Sequence, residues 1–255
     1  FLGIGGIGMS ALARYYHNLG YIIAGYDRTP SPLTKQLEDE GMAIHYEDNP
    51  KLLPALIEIV IYTPAVPADL KEFEALRQRN LTIWKRSEAL GKGSERHFTI
   101  AIAGTHGKTT TTAMTAHILN DCGTDTTAFI GGGANNFDSN LLLGDVNDSI
   151  LVAEADEYDR SFLHLHPDIS IINSIDADHL DIYGDRQHLV QSFNDFAQLT
   201  EKQVIIKEGL EVNVSNAIRF GFGEGCDYRA EIIRSEKGIT ISRSEERRVG
   251  KECRS

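Results

Sequence analysis

The chain has 255 residues, 41% hydrophobic and 24% charged, with a formal net charge of −12. This length accommodates two modest domains, and the acidic balance excludes general nucleic-acid binding, which needs a basic surface. No apolar run approaches the roughly eighteen residues of a membrane span, no signal peptide is visible, and Cys122, Cys226 and Cys253 are too few and too scattered for a zinc site or a disulfide framework. A reducing cytoplasm is the expected setting.

The first eight residues carry G-x-G-x-x-G at Gly3, Gly5 and Gly8, with Gly6 inside the motif. Met9, Leu12, Ala13, Tyr16 and Leu19 then recur at helical spacing, and Gly20 is a natural terminator. A strand over 21–26 ends at Asp27, about twenty positions after the loop, which makes a βαβ start. Two readings stand open. One is an NAD site with Asp27 on a ribose; the other is a different diphosphate nucleotide in the same crevice.

A helix over 32–40 and a short strand over 43–45 follow. A buried strand over 57–62 runs into Thr63-Pro64-Ala65-Val66-Pro67. That turn lies at the carboxyl end of a strand, where open parallel sheets bind ligands; it reads equally as a plain connector. A helix over 69–79 and a strand over 82–84 complete a first domain, 1–93. Residues 91–97, Gly-Lys-Gly-Ser-Glu-Arg-His, read as a polar linker.

A second domain, 97–242, opens with an apolar strand over 98–103 and then Gly104-Thr105-His106-Gly107-Lys108-Thr109-Thr110 before a helix. Strand, glycine turn, Lys-Thr and helix is the architecture of a phosphate-binding loop. Glycines let the backbone aim N–H groups at phosphate oxygens, and the helix N-terminus adds positive potential. Lys108 brings a full charge to the outer phosphates, and the Thr109 hydroxyl can ligate Mg2+. The position of the first glycine in the usual G-x-x-x-x-G-K-[ST] pattern is Ile102, so the loop is a variant.

Downstream, a strand over 126–130 meets a glycine run, Gly131 to Gly133, then Asn135 and Asn136; this is either a flexible loop or a place of close ligand approach. A strand over 149–154 ends in Glu154, whose hard oxygens suit magnesium. Of the acids that follow, Asp159 reads as a solvated turn residue, while Asp156 and Glu157 stay open. A strand over 168–172 leads into Asn173 and then Asp176, Asp178, His179 and Asp181. A helix over 186–199 contains no lysine; strands over 204–207 and 217–221 and an antiparallel pair, 227–233 with 238–241, end the sheet. From Arg243 the alternation stops and charge becomes dense, so 243–255 is expected to be a tail foreign to the fold.

The loop Gly104 to Thr112 resembles the ATP loop of the Mur ligases, the family that builds the peptide of bacterial cell-wall precursors. The Glu154-Ala155-Asp156-Glu157 stretch and the Asp178-His179 motif agree with it, and Phe1 to Ala13 is similar to its uridine-nucleotide domain. The resemblance implies an α/β architecture: a Rossmann-like parallel-sheet domain followed by an ATP-binding central domain, with a third domain absent from this sequence. It implies an ATP-dependent ligase joining L-alanine to UDP-N-acetylmuramate, with a peptide-recycling reaction of the same fold and a non-catalytic nucleotide-binding module as alternatives. By resemblance, Gly3, Gly5, Gly6, Gly8, Asp27, Thr63, Pro64, Asn135 and Asn136 face the UDP-substrate. His179 and Glu154 hold a second magnesium, and Asn173 lies near the nucleotide or orders the loop.

Overall fold

The computed structural model describes residues 1–134, 139–145, 148–176, 183–236 and 239–246. These form two compact units interleaved along the chain. The first is built from Phe1–Thr99, Thr109–Glu154 and His164–His166; the second from Ile100–Lys108, Ala155–Leu163 and the described residues from Pro167 onward.

The first unit begins with helix α1 (Ile7–Asn18), strand β1 (Ala24–Tyr26), α2 (Pro32–Asp39), β2 (Ala43–His45), β3 (Ile59–Tyr62), α3 (Lys71–Arg77), β4 (Thr82–Lys85) and α4 (Arg86–Ser94). β1 pairs with β2 and β3 with β4, both parallel. Leu2 bridges Tyr26 on one side and Tyr62 on the other, also parallel, giving the order β2, β1, Leu2, β3, β4. The chain reverses direction across the sheet at Leu2, so Gly3 sits at the switch point where such sheets bind ligands. α1 buries Met9, Leu12, Tyr15 and Tyr16 against Ile4, Leu37 and Ile61. Full burial of side chains such as Met9 and Leu12 is worth about 1.5–3 kcal/mol each. α2 starts where Ser31 and Thr34 cap each other reciprocally and Pro32 pre-sets the first turn.

Residues 91–97 are not a linker. α4 runs through Ser94, and Gly91, Gly93 and Ser94 are buried. The two glycines permit close packing rather than flexibility: a β-carbon on Gly91 would overlap the His164 carbonyl, and one on Gly93 would lie 3.3 Å from the Tyr15 ring.

The same unit holds most of α5 (Lys108–Asp121) and strands β6 (Thr126–Ala134), β7 (Ser139–Leu142) and β8 (Ile150–Glu154). β6 pairs parallel with β8 and antiparallel with β7. The glycine run continues β6 instead of forming a loop, and its pairing with β7 is irregular between Phe129 and Ala134. α1 packs on β6 and β7; Tyr15 meets Phe129 edge-on at 5.4 Å, and Asn140 donates to the Ile7 carbonyl at 2.7 Å.

The second unit contains most of β5 (Thr99–Ala103), then β9 (Ile169–Ile172), α6 (Arg186–Gln198), β10 (Gln203–Lys207), β11 (Ile218–Gly221), β12 (Tyr228–Glu236) and β13 (Ile239–Glu246). β5, β9, β10, β11 and β12 pair in that order in parallel, and β13 closes the edge antiparallel. α6 anchors through Phe193 and Phe196, both against Phe162, with Phe196 stacked at 4.9 Å. β13 continues to Glu246, past the point where the charged stretch was expected to leave the fold; Arg243 pairs with Glu231 and Glu246 with Tyr228. Main-chain pairing to β12 needs no side-chain alternation at a sheet edge. Among the described residues, no helix is long and apolar enough to cross a membrane.

Candidate functional site

In the second unit, β5 delivers the chain to the glycine loop and α5 begins at Lys108. Gly104 (φ +135°) and Gly107 (φ +79°) occupy backbone conformations that side chains disfavour. The loop is braced by the segment after β9. Asn173 donates its amide to the Ala103 carbonyl at 3.0 Å, and Thr105 donates to the Ser174 carbonyl at 3.2 Å. The His106 amide donates to Ser174 Oγ at 2.8 Å, and the Asp176 amide to Thr105 Oγ1 at 3.0 Å. A β-carbon on Gly104 would lie 2.9 Å from the Ser174 nitrogen, so the two loops touch backbone to backbone. Thr105 is buried and acts as the pivot, whereas His106 is exposed, its Nε2 3.7 Å from Asp176 Oδ2.

This bracing sorts the loop's donors. The amides of Thr105 and His106 are committed to Ser174. The amides of Gly107, Lys108 and Thr109, at the start of α5, belong to the group a helix leaves without intrahelical acceptors, and they suit a phosphate. The Lys108 ammonium donates to the Gly104 carbonyl at 2.8 Å and to both oxygens of Glu157, at 2.7 and 3.0 Å. The Glu157 side chain is 0% exposed and that of Lys108 14%.

In the first unit, Thr109 Oγ1 donates to Glu154 Oε1 at 3.1 Å, and the Gly131 amide donates to Glu154 Oε2 at 2.8 Å. A β-carbon on Gly131 would lie 2.5 Å from that same oxygen, so the glycine makes room for the carboxylate. A hydroxyl and a carboxylate are hard oxygen donors of the kind magnesium takes, and the pair fits the metal expected there. Among the described residues, no cluster of three or more His, Cys, Asp or Glu side chains adds to it. His179, Asn135 and Asn136 lie outside the described residues. Thr110 is exposed in the first turn of α5.

The other predicted site residues gather at the switch point of the first unit. Gly3 (φ +79°) packs against Thr63, whose methyl group would be 2.6 Å from an added β-carbon. Gly6 caps α1 without a side-chain bond. The Gly5 amide donates to Asp27 Oδ2 at 2.7 Å, so Asp27 braces the loop from within. A β-carbon on Gly8 would meet the Arg86 guanidinium at 2.6 Å. Pro64 is exposed in the turn after β3.

The sequence model of the Mur ligase middle domain matches residues 102–249, and that of the Mur ligase family catalytic domain matches residues 1–97. The chain belongs to the Mur ligase family. Relatives of this Mur ligase chain include the UDP-N-acetylmuramate–L-alanine ligase of Christiangramia forsetii, 46% identical over 249 residues, covering 94% of the chain and 54% of that relative. The chain spans about half the length of the curated relatives it matches. The crystal structure of the UDP-N-acetylmuramate–alanine ligase from Thermotoga maritima superposes with a TM-score of 0.75 at 30% identity, covering 91% of this chain and 54% of that one. A UDP-N-acetylmuramate:L-alanyl-γ-D-glutamyl-meso-diaminopimelate ligase from Neisseria meningitidis superposes with a TM-score of 0.79 at 24% identity, over 90% of this chain and 78% of that one, which shows the shared fold.

Three contributors to this Mur ligase site escaped the sequence reading. Glu157 stays open in the sequence as one acid of a run, with no residue nearby to assign it a partner. Ser174 carried no signal of its own, because its role depends on the loops meeting. Arg86 lies between the strand read over 82–84 and the linker read over 91–97, with nothing local to tie it to Gly8 some eighty residues earlier.

Proposed function

We propose that this chain carries the substrate-nucleotide and ATP-binding machinery of a ligase that joins L-alanine to UDP-N-acetylmuramate in peptidoglycan precursor synthesis. The observation that carries the reading is the Lys108–Thr109 step at the start of α5. One residue is paired with buried Glu157 and the next is bonded to Glu154. The name and 46% identity of the C. forsetii relative support the choice of substrates. We place the UDP-substrate domain at 1–93 and the ATP-binding domain at 97–242; the two family matches, which meet between residues 97 and 102, support that division.

A carboxylate is a poor electrophile toward an amine. ATP converts it to an acyl phosphate: a carboxylate oxygen attacks the γ-phosphorus, ADP leaves, and the amine then displaces phosphate. The protein's task is alignment and charge neutralisation. The amides of Gly107, Lys108 and Thr109 hold phosphate oxygens, and the Lys108 ammonium meets the β- and γ-phosphates. Thr109 and Glu154 would hold magnesium, which when bound neutralises phosphate charge; His179 is the further ligand expected from the family resemblance. Gly3, Gly5, Gly6 and Gly8 present the N-terminus of α1 to the UDP diphosphate, beside Thr63 and Pro64, with Asp27 holding the Gly5 amide in place. Asn135 and Asn136 complete the substrate side by resemblance.

Two measurements test this. Calorimetric titration of the chain is expected to give saturable binding of ADP with magnesium and, separately, of UDP-N-acetylmuramate; absence of both overturns the reading. A chimera in which this chain replaces the matching half of the C. forsetii relative is then offered ATP, magnesium, UDP-N-acetylmuramate and one amine at a time. Phosphate release is expected to be highest with L-alanine. Release only with a cell-wall tripeptide would assign the recycling reaction instead.

A further inference from the structure

The Lys108–Glu157 pair does more than the proposed chemistry requires. A phosphate-loop lysine needs a cation aimed at the phosphates; here that cation is already engaged with both oxygens of a carboxylate and with the Gly104 carbonyl. Three acceptors match the three hydrogens of an ammonium. Bonds between ionised partners are roughly twice as strong as neutral ones, so an incoming phosphate must compete with a resident anion.

The surrounding chain is built to keep that anion in place. Two and three positions after Glu157, Asp159 and Arg160 both adopt left-handed backbone (φ +52° and +54°). Such conformations are costly in non-glycine residues and persist only where surrounding structure imposes them. The segment is pinned at several points: the Ala155 amide to the Ile102 carbonyl at 2.8 Å, Arg160 to the Glu157 carbonyl at 2.9 Å and Phe162 to the Asp156 carbonyl at 2.9 Å. The buried Tyr183 hydroxyl also donates to the Glu157 carbonyl. The backbone that carries the carboxylate is thus pinned beneath the loop, and the Glu157 side chain is fully buried there.

We infer that Glu157 is a resident competitor for the phosphate loop: its carboxylate holds the Lys108 ammonium whenever no phosphate is present, and only ligands with two or more linked phosphates draw the ammonium away. A single phosphate gains too little from the α5 amides to offset the exchange. A pyrophosphate or nucleoside diphosphate engages the amides and the ammonium together. Glu157 is therefore a positioning residue that acts through Lys108 and sets selectivity for phosphate chain length. The inference rests on the reading of this loop as the ATP site.

The test is calorimetric titration of the 255-residue chain with inorganic phosphate, pyrophosphate and ADP, each with magnesium. The variants are Glu157→Gln, Lys108→Met and the double variant. Glu157→Gln is expected to tighten pyrophosphate and inorganic phosphate several-fold, with selectivity between them narrowed. Lys108→Met removes the ammonium and leaves the buried Glu157 carboxylate facing the phosphates, and like charges juxtaposed in this way are strongly unfavourable. The double variant is therefore expected to bind ADP about tenfold more tightly than Lys108→Met, equivalent to about 1.4 kcal/mol. A double variant no better than Lys108→Met, or a Glu157→Gln variant with unchanged or weaker pyrophosphate binding, overturns the inference. Should Lys108→Met not fold, the comparison of Glu157→Gln with the unmodified chain decides by the same criterion. Failure of the unmodified chain to bind ADP at all would instead remove the ATP-site reading itself.

Discussion

Gly91 lies against the main chain of His164 so closely that a β-carbon would overlap the His164 carbonyl oxygen. A helix normally gains about 1 kcal/mol when glycine becomes alanine. Here the methyl group has backbone, not a flexible side chain, in its way. Gly91→Ala is expected to destabilise the chain by about 1–3 kcal/mol, as overpacked cores do. Gly93→Ala, whose β-carbon would press on the Tyr15 ring at 3.3 Å, is expected to cost less because the ring can give. Urea denaturation of both variants checks this; equal stability of Gly91→Ala and the unmodified chain would contradict the packing argument.

Gly131 supports Glu154 in the same close manner, through its amide and through the absence of a side chain. Groups that orient a metal ligand typically matter about 10–100-fold in metal affinity. Gly131→Ala is expected to reduce the magnesium-dependent part of ADP binding by a factor in that range, with the melting temperature little changed. Glu154→Gln should do the same. Titration with ADP in the presence and absence of magnesium separates the metal term, and a wild-type magnesium response in both variants would count against Glu154 as its ligand.

Asp27 makes a charged hydrogen bond to the Gly5 amide. Losing such a bond costs about 1.5–3 kcal/mol. Asp27→Ala is therefore expected to lower the stability of the chain before any ligand is added. A residue serving only a ribose hydroxyl would leave ligand-free stability untouched, so denaturation without nucleotide distinguishes the two roles.

Tyr183 is buried beneath the phosphate-loop segment, and that burial, followed by the negative charge of Glu157, raises its phenol from 10.0 to about 12. The folded chain then holds the proton more tightly than the unfolded chain. The stabilisation is complete below pH 10 and is lost as pH rises through about 12. Urea midpoints across this window should fall less steeply for Tyr183→Phe than for the unmodified chain; parallel curves would show that Tyr183 does not contribute to the alkaline transition.

Much of this was legible in the chain itself. The alternation of apolar strands and amphipathic helices is a local property, and α1, α2, β2, β8 and α6 emerged close to their observed bounds. Lys108, Thr109 and Glu154 were readable because strand ends in a parallel sheet converge on one edge. What escaped depended on encounters between distant residues. Gly91 and Gly93 read as linker residues because glycine marks flexibility and close approach alike. The glycines after Ile130 stand between the same two readings, and Gly131 resolves to close approach, with the Glu154 carboxylate against it. Glu157 needed knowledge that Lys108, forty-nine positions earlier, would be its partner.

The placement of Leu2 between Tyr26 and Tyr62 also has a consequence for how the chain comes off the ribosome. The pairs β1–β2 and β3–β4 each join segments close in sequence and can form early. The strand segment that unites them is made before either. Leu2 can pair with Tyr26 soon after synthesis, but its second edge stays open until residue 62 has left the exit tunnel. Long-range parallel pairing is slow and leaves edges exposed in the interval. The first eight residues, which carry the glycine motif, therefore reach their final surroundings only after both halves of the sheet exist. A nascent-chain length series with protease protection of the N-terminal segment as its readout should show protection appearing only once β3 has emerged.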